Sequence, residues 1–137
     1  MTPSDSLSAG IVLLTVVAIE SGGVLLLRIA TGGTRVNELQ RTFFRAGHAH
    51  AGMFVTLGLV VLLLVNVADV ASPWRDLGPT LVLSAAIVMP AGFFLSVIGR
   101  DPQAPNRLRL LLPAGGVVLA VGLVVSAVGL IGAGVAA

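Results

Sequence analysis

Cysteine is absent from this chain, and so are tyrosine and lysine. The first absence excludes disulfides, thiolate metal sites and cysteine nucleophiles. Charge is scarce as well, at 10% of 137 residues, where a soluble domain carries about a quarter. What fills the gap is apolar: 56% of the residues are hydrophobic, and the mean hydropathy is +1.05. A water-soluble fold of this size has no room to bury so much apolar surface. The composition therefore reads as one integral membrane domain over residues 1–137. All eight basic residues are arginine, and with the abundant Ala, Val, Leu and Gly this points to a high-GC bacterial genome.

The apolar residues fall into four runs, Leu7–Ala30, Ala46–Val67, Gly78–Ile98 and Leu110–Val135. Each matches the roughly 20 residues that an α-helix needs to cross ~30 Å of hydrocarbon. Transmembrane strands would alternate in polarity over about ten residues, and no such alternation is present. The leader MTPSDS carries an acid where a signal peptide carries bases, so the first run reads as a span. The expected fold is all-α, a transmembrane four-helix bundle.

Seven arginines, Arg28, Arg35, Arg41, Arg45, Arg100, Arg107 and Arg109, flank the first and third connections. Only Arg75 lies in the second, beside Asp69 and Asp76. The positive-inside rule then places the arginine clusters in the cytoplasm and both termini outside, in a multi-pass protein of the plasma membrane. The basic balance marks sidedness, so the expected partner is the lipid bilayer and not nucleic acid. Trp74, in a loop, would anchor the outer interface. Asn37 and Gln40 have capping-box spacing, so the second helix is expected to start near Glu38 and enter the membrane as an arginine-bearing ramp. Pro90 removes the N–H that would bond the Ala86 carbonyl, and a kink is expected there. In the fourth run Gly115, Gly122 and Gly129 recur every seven residues. Such small residues let helix backbones approach closely, either within the bundle or in a homo-oligomer.

Polar residues inside the spans are few. Glu20 is the one acid there, about 12 Å along its helix from Arg28. An ionised side chain at that depth is costly, so Glu20 is expected to be protonated, paired or facing water, which are the properties of a proton carrier. His48 and His50 lie at the mouth of the second span. Residues two apart on a helix point about 200° away from each other, so the pair cannot chelate one metal on a regular helix. One histidine should meet the first helix and the other a different neighbour, flanking a seam of Gly47, Ala51, Gly58 and Phe54. His50, the deeper, is the expected partner of Glu20; His48 is the better candidate for a simple backbone hydrogen bond. No phosphate loop, Ser–His–Asp set or acid pair supports enzyme chemistry.

Three stretches carry resemblances. "FRAGHAHAGMFVTLGLVV" with "IVMPAGFFLSVIG" resembles a family of small four-span bacterial membrane proteins, which implies the fold and no activity. The histidine followed by an apolar run and a later Met-Pro resembles the haem-ligand helix of haem–copper oxidase subunit I. That likeness implies haem b or copper with ligands drawn from His48, His50, Met53 and Met89. Since the family's second axial histidine has no counterpart here, haem would need one of the histidines paired with one of the methionines, or with a histidine of a second subunit. "ESGGVLLLRIATGGTR" resembles the first helix of the small multidrug resistance transporters, through Glu20, Gly23, Leu26, Arg28, Gly32, Thr34 and Arg35. It implies a glutamate that exchanges protons for a cation, although the tyrosine and tryptophan that family places in its third helix are missing. Three functional readings stay open: an accessory membrane protein, a proton-linked carrier, and a haem or copper protein.

Overall fold

A computed structural model describes residues 1–136. It contains four long helices, α1 (Pro3–Ala30), α2 (Glu38–Val67), α3 (Trp74–Ser96) and α4 (Leu111–Ala136), with a 3-10 turn, Arg107–Leu110, leading into α4. Every one is long and apolar enough to cross a membrane. The protein is thus an all-α, multi-pass membrane protein with four candidate spans packed together.

The helix starts follow from local chemistry. Thr2 and Asp5 form a reciprocal capping box at α1, and Asn37 and Gln40 form another at α2. Both satisfy N–H groups that a helix leaves unbonded at its first turn. The Asn106 side chain accepts from Leu108 N–H at 2.8 Å and opens the 3-10 turn. Trp74 begins α3, where a loop position was expected, and it stays partly exposed. Residues Pro79 and Pro90 lie inside α3, which continues as one helix through both.

α3 is the centre of the packing, with α2 on one side and α4 on the other. Glycine makes both contacts close. A Cβ on Gly47 would lie 2.9 Å from Phe93 Cβ and from Phe94 Cε2, and one on Gly58 would collide with Leu83. On the other side, a Cβ on Gly115 would meet Met89 Cβ at 2.7 Å, one on Gly122 would meet Val82 N at 2.9 Å, and one on Gly129 would meet Trp74 Cβ at 2.8 Å. The seven-residue glycine stripe is therefore buried against α3 of its own chain, which is the first of its two expected uses, and this intramolecular seam occupies the face that a homo-oligomer would need. Aromatic doublets reinforce the α2–α3 contact, with Phe43 edge-on to Phe93 and Phe44 stacked on Phe94, both at under 6 Å.

The arginine-rich connections meet at one end. Gln40, buried, donates to the carbonyls of Val97 (3.1 Å) and Gly99 (3.0 Å). Asn37 Nδ2 donates to Asp101 Oδ1 and to Pro102 O, both at 2.8 Å. Gly99 holds φ +127°, a conformation that side-chain-bearing residues rarely adopt. The start of α2 is thereby stapled to the α3–α4 connection.

α1 stands apart. Among the described helices its backbone approaches only α2, and within its 28 residues only Asp5 and Ile29 are buried. This loose docking leaves the grooves in which the polar membrane residues lie.

Candidate functional site

The site is built on the two flanks of α2. His50 points toward α3, its ring 4.9 Å from that of Phe93 and edge-on to Phe54 at 5.4 Å. Its Nδ1 lies 2.7 Å from the Ala46 carbonyl. A carbonyl can only accept, so Nδ1 carries the hydrogen and the tautomer is set. His50 is held by backbone and aromatic contacts, the role expected of His48.

His48 takes the opposite flank and faces α1. A Cβ on Gly22 would lie 3.3 Å from His48 Nδ1, and one on Gly23 would lie 3.6 Å from Nε2. These two glycines leave the space the imidazole occupies. Neither ring nitrogen has a hydrogen-bond partner among the described residues, while Nδ1 of His50 and the hydroxyls of Thr15, Ser21 and Thr56 find backbone carbonyls. Glu20 lies three residues before Gly23, hence on the same face of α1. It lines one groove of about 420 Å³ with His48, Val16, Ile19, Gly23, Val24 and Leu27. The acid thus shares its surroundings with His48, and His50 turns away from it. Glu20 is exposed and unpaired among the described residues, on an open groove between α1 and α2.

His48 also borders a second cavity, of about 470 Å³, between α1 and α3 with α2 as its floor. Its walls are apolar, including Val12, Ile19, Val55, Leu83, Ala86 and Phe94. The rim residues Ile11, Thr15, Ala18 and Ile87 are exposed, so the cavity opens sideways, toward the hydrocarbon of a surrounding bilayer. Thr15 already donates to Val12 O at 2.6 Å, which leaves His48 as the unsatisfied polar group in the lining. Thr15, Gly22, Leu83 and Phe94 were not singled out from the sequence. One signal was available: the doublets Phe43-Phe44 and Phe93-Phe94 repeat at the arginine-rich ends of successive spans, as facing helices would require.

The four donors considered for haem or copper do not converge. His48 faces α1, His50 is turned the other way among Phe54 and Phe93, and Met53 is exposed. Met89 lies against Gly115 and Gly116 of α4, a helix whose backbone does not approach α1. No group of three or more His, Asp or Glu side chains is placed to hold a metal ion among the described residues. The residues present in one chain do not fit a haem with two axial ligands, or a copper site of this donor set.

Seven of the eight arginines fall into three groups at one end of the molecule. Arg41 and Arg45 flank a groove with Leu26, Leu27, Ile29 and Ala30 of α1. Arg35 lies in a cleft with Asn37, Gln40 and Asp101. Arg28, Arg100, Arg107 and Arg109 are exposed at the ends of α1 and in the α3–α4 connection.

No protein-family model matches the chain, and no curated protein or solved structure matches it either. The resemblances carried by the histidine segment and by α1 gain no support from these comparisons, and no family is assigned.

Proposed function

We propose that the protein is a small proton-linked carrier of a lipophilic solute, a cation by preference, with Glu20 as the exchanging group and His48 as its partner. The observation that carries this reading is the common groove of Glu20 and His48, two ionisable side chains without hydrogen-bond or ion-pair partners among the described residues, at the depth of the apolar spans. A bare carboxylate is costly there, so Glu20 takes either a proton or a cation, and the two compete. The neighbouring apolar cavity, open to the side, provides a berth for the solute's hydrocarbon part. Imidazole changes charge near neutral pH and is suited to pass the proton between groove and water.

The test uses proteoliposomes loaded with a pH-sensitive dye and given a gradient of a fluorescent lipophilic cation. Proton efflux should accompany cation entry in the parent protein and vanish in Glu20→Gln, while His48→Gln should slow it. Equal rates in the parent and in Glu20→Gln remove the carrier and leave the accessory reading, in which the exposed face of α1 covers a larger partner.

A further inference from the structure

The groove at the arginine-rich end has a different chemistry from the Glu20 site. Arg41 and Arg45 are four residues apart on α2, so they project from the same face about 6 Å from each other. Both are exposed. Arg41 meets Glu38 at 3.9 Å, but both side chains are solvated, and a surface pair of that kind holds its partners weakly. Arg45 has no ion-pair partner among the described residues. Beneath the two guanidiniums the wall changes abruptly to hydrocarbon, formed by Leu26, Leu27, Ile29 and Ala30 at the end of α1. The groove has a volume of about 570 Å³ and continues past Leu27 into the α1–α2 depression lined by Val24 and Val16.

A pair of guanidiniums at the end of an apolar trough matches one kind of molecule, an anion joined to an alkyl chain. We propose that this groove binds one anionic phospholipid, with its phosphate on Arg41 and Arg45 and an acyl chain laid along Leu27 and Val24. Guanidinium forks suit phosphate oxygens, and basic pockets between spans at the head-group level are where such lipids bind. A free phosphate would use the arginines alone and leave the apolar wall bare. The site does not depend on proton transfer at Glu20, so either reading can fail without the other.

Native mass spectrometry of the delipidated full chain in detergent, titrated with dioleoylphosphatidylglycerol or dioleoylphosphatidylcholine, tests the proposal. One phosphatidylglycerol per chain should be retained, with a preference of roughly tenfold or more over phosphatidylcholine. The double variant Arg41→Gln/Arg45→Gln should lose that preference, and Arg107→Gln/Arg109→Gln, which removes the same charge at the same end, should keep it. Both pairs are exposed, and unchanged circular dichroism will verify that each variant is folded. Equal loss in the two variants would show a diffuse surface field and overturn the site. So would equal retention of the two lipids, or displacement of the bound lipid by millimolar glycerol 3-phosphate.

Discussion

Two adjacent glycines on α4 should respond oppositely to the same change. Gly115→Ala adds a methyl group 2.7 Å from Met89 Cβ, 2.9 Å from Met89 N and 3.0 Å from Met89 Cα. Carbon atoms settle at about 3.5–4.0 Å, so α3 and α4 must part locally by about 1 Å. Two of the three atoms met are backbone, and no rotamer change can move them aside. Overpacking of this kind costs about 1–3 kcal/mol. Pro90 tempers it, because α3 lacks the hydrogen bond to Ala86 O next to the collision and can yield there. Gly116→Ala meets only Met89 Cε, at 3.6 Å, an ordinary contact with the mobile end of a side chain. The gain in helix propensity, about 1 kcal/mol, is common to both variants and cancels in the comparison. Gly115→Ala should therefore be less stable than Gly116→Ala by about 1–2 kcal/mol. Far-UV circular dichroism during titration of detergent micelles with dodecyl sulfate reads that difference. Equal midpoints for the two variants would refute the close α3–α4 seam and return the glycine stripe to the outside of the molecule.

Two further outcomes probe the rest of the frame. Gln40→Glu keeps an acceptor for the Asn37 N–H but cannot donate to Val97 O and Gly99 O, so it should cost about 2 kcal/mol, whereas a residue that served only as a cap would tolerate glutamate; the same titration decides. Because the chain has no cysteine, the pair Gly22→Cys/His48→Cys should couple rapidly with a short bifunctional thiol reagent, and Gly22→Cys/His50→Cys should not; equal coupling would contradict the opposite orientation of the two histidines.

The four spans, the capping box of α2 and the divergence of the histidines were legible because each depends on short-range pattern. Twenty apolar residues, an Asn three before a Gln, and a 200° turn between alternate positions need no tertiary knowledge. Which histidine faces α1 was not legible in that way. Depth along the axis favoured His50, since it lies nearer Glu20, but the outcome was decided by rotation about the axis. Gly47 and Gly58 set that rotation by admitting Phe93, Phe94 and Leu83, which turns His50 to α3 and His48 to α1. A periodic stripe on α4 likewise announced a close contact without naming the partner, and the partner proved to be α3 of the same chain. The exposure of Glu20 was hidden for the same reason. Hydropathy rates a residue by its place in the chain, while exposure depends on how far a neighbouring helix stands off.

The frame and the polar site differ in how firmly they are held, and the difference bears on function. α2, α3 and α4 meet through glycines that bring side chains or backbone of the next helix against their own backbone, through paired phenylalanines, and through the Gln40 and Asn37 hydrogen bonds. α1 has none of these except the contact of Gly22 and Gly23 with the His48 ring, and its connection to α2 passes through Gly32, at φ +79°, and Gly33. Segments with few buried contacts open at the lowest free-energy cost. Glu20 therefore rides on the loosest helix, and His48 is fixed to the tight frame by its place on α2. Any displacement of α1 changes the distance between acid and imidazole and the width of the apolar cavity together, since His48 borders both. That coupling follows from one imidazole facing two grooves. It is also why a thiol cross-link between positions 22 and 48 should arrest whatever flux the same double variant, already slowed by the loss of His48, retains before coupling, even with the Glu20 carboxyl group intact.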